Sequence, residues 1–401
     1  MMLQISIRYI YLAVLFVTAM GCKKTTEPIV ETLETQQDTL PKIKINNSTF
    51  ETLDAAYVAE KNKQISLFYD TYWLKNKVSG GILVAKNGEI IFEKYEGYSN
   101  FSAKEVLDSN TPIHIASVSK LLTATAIMLL VETQKISLDQ KVSTVLTAFP
   151  YPEISIRTLL NHRSGLRNYA YYFDDRANWN PATQVTNQAI LDEFAKHNVP
   201  LDFQTDKKFA YCNTNYAILA LIIEKITGLN YREAMKRMIF EPLSMNNTFV
   251  IDYEKDYKKY SQSYKGNYVL HPLNHLETVY GDKNIYSTPR DLLKFHQAIS
   301  SKNYVTPELQ AQIFKGYSYE RRGTKNYGLG IRMMEWQDGK QLFYHNGWWH
   351  GNTSSYVNLR DENVVIIALA NKYTTMTYKS IYLAALFGDY PFELKKDELG
   401  F

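Results

Sequence analysis

The sequence predicts an α+β fold: an antiparallel β-sheet flanked by helices, with a mainly helical subdomain inserted into it. Three observations carry that expectation. Strand-like segments gather near the two ends of the chain, at 81–95 and 329–370, and the stretch between them, about 121–285, is dominated by helical patterns. Asn87-Gly88 joins the first two strand segments as a tight hairpin, which forces antiparallel pairing. Strands from both ends enclosing a helical middle imply one sheet covered by helices.

Each element has its own signal. Leu53, Ala56, Tyr57, Ile65, Leu67 and Phe68 recur at helical spacing and predict a helix over about 53–74. Residues 81–86 and 90–95 read as strands. The run 121–130 is almost wholly apolar and predicts a buried helix. Residues 217–226 predict another, stopped by Gly228, and 231–240 a further one, stopped near Pro242. Strand patterns return at 329–335, 341–344, 354–359 and 364–370, the last two linked by Arg360-Asp361-Glu362-Asn363, and 378–387 reads as a closing helix.

The N-terminus reads differently. Arg8 precedes an apolar stretch at 9–20, and small residues follow, the pattern of a secretory signal peptide over 1–21. The stretch is too short to span a bilayer, and no later segment reaches about 18 apolar residues. Ala19-Met20-Gly21-Cys22 resembles the lipobox of bacterial lipoproteins, which implies cleavage before Cys22, lipidation of its thiol and membrane attachment at the cell envelope. A plain secretory peptide with a fortuitous cysteine is the alternative. Residues 22–50 are polar and read as a flexible tether, leaving 51–401 as the folded domain.

Composition narrows the function classes. With 401 residues, 45% of them hydrophobic, the chain can build one large core or two lobes sharing a cleft. A net charge of +4 with scattered lysines and no dense basic stripe disfavours a nucleic-acid binder. The only cysteine besides Cys22 is Cys212, which reads as a small buried hydrophobe. Neither an HExxH pattern nor a cysteine cluster is present, so no metal and no cofactor is expected.

Three motifs carry chemistry. In Ser117-Val118-Ser119-Lys120 the hydroxyl and the amine stand one helical turn apart on one face, at the mouth of the apolar helix. A desolvated lysine can take the proton of a serine hydroxyl, and the helix N-terminus favours the negative charge that develops. Alone, the tetrad fits equally a capping serine followed by a surface lysine. Tyr211-Cys212-Asn213 offers a phenol that can relay a proton and an amide that can orient a substrate or the lysine; its alternative is a helix start capped by Asn213. His345-Asn346-Gly347 ends a strand pattern and runs into Trp348-Trp349-His350-Gly351. A strand edge can offer N–H groups to an oxyanion, and Gly347 permits close approach; the alternative is a polar turn packed by tryptophans.

Taken in order, these motifs resemble SxxK, YxN and HxG of the serine β-lactamase and penicillin-binding-protein superfamily, with class C β-lactamases, DD-peptidases and related esterases as the nearest likeness. Residues 156–166, 240–245, 286–292 and 327–330 resemble further stretches of that family. The likeness runs from about residue 60 to the end. It implies a β-lactamase/transpeptidase-like fold and a serine hydrolase acting through a covalent acyl-enzyme on an amide, peptide or ester carbonyl. It implies Ser117 as nucleophile, Lys120 as base directly or through Tyr211, Asn213 on the substrate amide, and the N–H groups of Ser117 and Trp348 as oxyanion hole. His345 stands where many members carry lysine, which favours the esterase and peptidase members over penicillin as natural substrate.

The expected substrates are a peptidoglycan stem peptide, a β-lactam or an ester. Two alternatives stay open: a non-catalytic or slow-trapping penicillin-binding envelope lipoprotein, and an acyltransferase. His162 reads as a buried hydrogen-bonding residue; Gly281-Asp282-Lys283-Asn284 reads as a structural departure from a family loop.

Overall fold

The computed structural model describes residues 40–45, 50–256, 260–320 and 323–393. The expected signal peptide and Cys22 lie outside them, as does most of the expected tether; of the tether's last residues, Ile43 is buried and donates its N–H to the Met238 carbonyl at 2.9 Å.

Helix α1 (Ala55–Tyr69) is capped by Asp54 and continues through one π turn to Leu74. It leads into the hairpin of β1 (Gly80–Lys86) and β2 (Glu89–Glu96), whose turn residues Asn87 and Gly88 take φ of 54° and 80°. That left-handed pair is what an Asn-Gly turn supplies. A small ribbon, β3 (Tyr98–Asn100) and β4 (Glu105–Val106), follows, then β5 (Ile113–His114), a 3-10 turn at Ala116–Val118 and α2 (Ser119–Glu132).

The middle of the chain is helical: α3 (Ile156–Leu160), α4 (Tyr169–Asp174), α5 (Asn187–Lys196), α6 (Asn213–Thr227) and α7 (Tyr231–Met235), the last prolonged by a π turn to Phe240. Gly228 ends α6 in the left-handed conformation, φ 70°. Short strands β6 (Phe249–Val250) and β7 (Ile285–Ser287) join β5 in the order β5-β7-β6. Then come α8 (Pro289–Ile299), started by Thr288 and Pro289, α9 (Pro307–Ile313), and five strands: β8 (Lys325–Tyr327), β9 (Arg332–Glu335), β10 (Gln341–Trp349), β11 (Asn352–Leu359) and β12 (Val364–Ala370). Helix α10 (Met376–Lys379) and a 3-10 segment to Leu386 close the chain.

Seven strands form one sheet in the order β2-β1-β12-β11-β10-β9-β8, every pair antiparallel. The two ends of the chain meet inside it: Gly80 pairs with Ala370 and Lys86 with Val364. Strand β12 is buried throughout, which its unbroken Val-Val-Ile-Ile-Ala-Leu-Ala requires. Val364, Ile366, Ala368 and Ala370 pack with α1 and the C-terminal segment, while Val365, Ile367 and Leu369 pack on the side of α2 and α6. Residues 119–130 of α2 are all buried. Each large apolar side chain there contributes about 1.5–3 kcal/mol, so the helix is anchored on every side.

The structure departs from expectation at four places. Ser117 lies in the 3-10 turn before α2 rather than in its first turn. Helix α6 begins at Asn213, with Cys212 as N-cap. Strand β10 runs on through Trp349, so His345-Asn346-Gly347 sits inside the strand. The closing helix is one α turn followed by 3-10 structure. Asn213 and Gly347, which read as boundaries, are held by tertiary contacts, the first to Lys120 and the second against the Ile115–Ala116 turn.

Candidate active site

Ser117 is placed by a strained turn. Ala116, just before it, has φ of 47°, a left-handed conformation that costs a non-glycine residue about 1 kcal/mol or more. Three contacts hold the turn. The Ile115 N–H donates to the Ile285 carbonyl at 2.9 Å, the Ile115 carbonyl accepts from Ser354 Oγ at 2.6 Å, and the Ala116 N–H donates to His114 Nδ1 at 3.0 Å. Gly347 presses against the same turn. A Cβ there would meet Ser354 Oγ at 2.3 Å, the Ile115 carbonyl oxygen at 2.6 Å and the Ala116 Cβ at 2.9 Å. Only glycine lets β10 come this close.

Lys120 has no exposed surface. Its Nζ lies 3.1 Å from Ser117 Oγ, 2.9 Å from Asn213 Oδ1 and 2.8 Å from the Asp282 carbonyl. Two of these partners can only accept, so they occupy two N–H groups and leave the third tetrahedral direction to Ser117. With the nitrogen as an amine, that direction is a lone pair facing the hydroxyl. The arrangement can therefore move a proton from Ser117 to Lys120. The 281–284 loop is tied down on both sides, since Thr123 Oγ1 donates to the Gly281 carbonyl at 2.6 Å.

Tyr211 stands over the same amine, its ring centre 5.0 Å from Lys120 Nζ, and its other neighbours are His162 at 4.3 Å between ring centres and the Arg332 guanidinium carbon at 4.6 Å. The sequence-predicted Ser117, Lys120, Tyr211 and Asn213 thus converge. His162 is buried; its Nδ1 accepts the Cys212 N–H at 3.1 Å, which fixes the start of α6 and with it the Tyr211 backbone.

The β10 edge completes the site. A two-residue turn closes the β10–β11 hairpin at the Trp349–Asn352 pair. Alternation then puts Gly347 in a hydrogen-bonded pair with Ser354 and leaves the Trp348 N–H pointing to the opposite edge. Strand β9 covers that edge only as far as Tyr344. The Trp348 N–H can therefore meet an oxyanion, and its indole stands 64% exposed beside the site.

His345 does not supply a cation. Burial, with Arg332 and Lys120 nearby, holds its imidazole well below the usual range, so it is neutral near pH 7. Its Nε2 is 3.2 Å from the Tyr327 hydroxyl and its Nδ1 is 2.9 Å from the Asn346 carbonyl. Four contributors were missed by the sequence reading: Arg332, the Asp282 carbonyl, Tyr327 and Ser354. Arg332 had a signal, a lone cation within an otherwise apolar strand pattern. A backbone carbonyl has none.

The profile of the beta-lactamase family matches residues 65–386, four-fifths of the chain. The chain belongs to the beta-lactamase family. This beta-lactamase-family protein is 30% identical over 344 residues to penicillin-binding protein 4* of Bacillus subtilis, covering 81% of this chain and 75% of that relative. To teichoic acid D-alanine hydrolase of Staphylococcus aureus it is 28% identical over 333 residues, covering 81% and 79%. Its fold superposes on the crystal structure of a penicillin-binding protein from Bacillus halodurans with a TM-score of 0.71, over 79% of this chain and 98% of that one, at 23% identity. The sheet flanked by helices is the β-lactamase fold expected from the motifs. As a member of this family the protein is a serine hydrolase that works through an acyl-enzyme on an amide, peptide or ester carbonyl.

Proposed function

We propose that Ser117 is the nucleophile of this serine hydrolase and Lys120 its base, acting on a carboxylate-bearing peptide or ester of the cell envelope. The observation that carries this is the 3.1 Å contact between Ser117 Oγ and a wholly buried Lys120 Nζ whose other two directions end on acceptors. Ser117 attacks the carbonyl; its proton passes to Lys120 and on to the leaving group, with Tyr211 in the relay. The Ser117 and Trp348 N–H groups hold the oxyanion, and water then releases the acyl group. Asn213 orients Lys120 and the substrate amide.

Arg332 supports the carboxylate preference. Its guanidinium lies beside Tyr211, and His345 carries no charge to share that role. A guanidinium binds a carboxylate through two parallel hydrogen bonds. The names of the relatives, one for penicillin binding and one for teichoic acid D-alanine hydrolysis, support a wall component as substrate and an envelope location. A lipid on Cys22 would tether the domain of residues 51–401 there.

The test is hydrolysis of p-nitrophenyl esters, nitrocefin and D-Ala-D-Ala peptides by wild type and Ser117→Ala, with intact mass followed over time. The reading requires a transient adduct on the wild type and none on the variant. Equal turnover by both would remove Ser117 from the role, and a persistent adduct without turnover would make the protein a trap instead.

A further inference from the structure

Glu277 is buried beside the tip of the β10–β11 hairpin, and no step of the proposed reaction uses it. Its Oε2 accepts the Trp349 Nε1–H at 3.2 Å. Its Oε1 accepts from His350 Nε2 at 2.5 Å and from the Asn274 N–H at 3.2 Å. Burial opposes its charge, but the hydrogen bond from His350 and the neighbouring Lys283 bring its pKa down to about 2, so it is a carboxylate near pH 7. Two more contacts brace the tip. The His271 ring stacks on His350 at 4.1 Å between centres, and Lys283 Nζ lies 4.8 Å from the centre of the Trp349 ring.

The backbone of the same residue reaches the other side of the site. The Glu277 and Val279 carbonyls accept from Asn284 Nδ2 at 2.5 Å and 2.7 Å. Asn284 Oδ1 lies 3.0 Å from His114 Nε2, and His114 Nδ1 accepts the Ala116 N–H at 3.0 Å. Burial keeps this imidazole neutral, so with Nδ1 accepting, the proton sits on Nε2 and is donated to Asn284. A chain of hydrogen bonds, with Glu277 as one link, thus runs from the residue before Ser117 to the residue after Trp348.

The Trp348 peptide needs such support. Its N–H and carbonyl face away from β11, and β9 ends its pairing at Tyr344, so no ladder hydrogen bond from either neighbouring strand holds them. Its indole donates back to the His350 carbonyl at 2.9 Å and so holds to the same tip. The place of this N–H is therefore set by Trp349 and His350, and the side chains of both end on Glu277.

We propose that Glu277 is a positioning residue of this hydrolase: its carboxylate holds the hairpin tip, its carbonyl holds Asn284 and His114, and together they set the Trp348 N–H against the Ser117 N–H at the spacing an oxyanion needs. This rests on the roles proposed above for Ser117 and Trp348. Both donors matter most when negative charge develops on the substrate oxygen, so the effect falls on the chemical step rather than on substrate binding.

Steady-state hydrolysis of p-nitrophenyl acetate by the whole protein, Glu277→Gln, Trp349→Phe, the double variant and Ser117→Ala tests this, with thermal unfolding followed in parallel. Glu277→Gln keeps the shape but turns one acceptor into a donor facing an N–H. Its kcat should fall about 10- to 100-fold with KM within about threefold, a loss confined to the transition state. Trp349→Phe keeps a ring and removes the indole N–H, and its kcat should fall in the same way. The double variant should lose much less than the product of the two single losses, because both break one link. A wild-type kcat in folded Glu277→Gln would overturn the proposal, as would a loss wholly in KM or single losses that multiply. If Glu277→Gln does not fold, Trp349→Phe decides alone by the same split between kcat and KM. Ser117→Ala as active as wild type would remove the oxyanion reading and this inference with it; with Ser117→Ala inactive, the other outcomes bear on Glu277 alone.

Discussion

The guanidinium carbon of Arg332 lies 4.6 Å from the centre of the Tyr211 ring. This puts a permanent cation on the wall of the site, one strand away from a His345 that stays neutral. Arg332→Leu should lower kcat/KM about 10- to 100-fold on peptides with a free carboxylate, the loss expected for one charge-assisted pair of about 1.5–3 kcal/mol. Neutral p-nitrophenyl acetate should change less than threefold. An equal loss on both substrates would mean that Arg332 only positions Tyr211.

Lys120 leaves little room for substitution. Lys120→Met removes the proposed proton acceptor and frees Asn213 Oδ1 and the Asp282 carbonyl from their shared donor. Ester turnover should fall at least about 1,000-fold. Circular dichroism and the unfolding midpoint separate this loss from unfolding: the far-ultraviolet spectrum should be retained.

Gly347→Ala tests the contact between β10 and the Ser117 turn. The added methyl meets backbone at 2.6 Å and must push the turn away. A shift of an ångström at the proposed nucleophile would cost roughly 100-fold in rate. The expected outcome is that loss in kcat with the sheet intact, and a wild-type rate would show that the turn is free to move.

Four buried histidines set the acid limit of stability. Burial lowers His114 to about 4 and His296 to about 3, and holds His162 and His345 well below their ordinary value of 6.5. All four are neutral in the fold, whereas the unfolded chain protonates them below about 6.5. The unfolded state then binds more protons, so stability is complete above pH 6.5 and falls as pH drops through the range 6.5 to 4. Burial opposes ionisation of Glu277, yet its hydrogen bond to His350 and the nearby charges bring it down to about 2, so its own contribution fades only below about pH 4.5. Urea unfolding between pH 4.5 and 7 should show a slope approaching about 1.4 kcal/mol per pH unit for each histidine. A flat profile there would contradict the burial of these rings.

Trp348 is the expected determinant of selectivity rather than stability. With 64% of its surface exposed, Trp348→Ala should change folding stability by less than about 0.5 kcal/mol while altering KM differently for large and small substrates. A substrate panel run at constant enzyme concentration reads the difference.

What the sequence made legible follows from periodicity and local chemistry. The Asn87-Gly88 hairpin, the apolar α2 and the two-faced β12 are each written in a few adjacent residues. The SxxK pair is also local, so Ser117 and Lys120 could be read as partners. Strand β8 has only three residues and no strong alternation. Arg332 reaches Tyr211 from more than a hundred residues away, and the Asp282 carbonyl is a group every residue possesses. The charge state of His345 depends on what surrounds it in space, and a motif cannot show that.

Because the turn at Ala116 is kept in its left-handed shape by Ser354, Gly347 and Ile285, the proposed nucleophile is set by segments made late in synthesis. A chain cut or paused before residue 354 holds the serine but lacks the clamp. Without those segments the turn has nothing to hold its left-handed shape, so the geometry that the proposed acylation needs should arise only in a chain long enough to supply them.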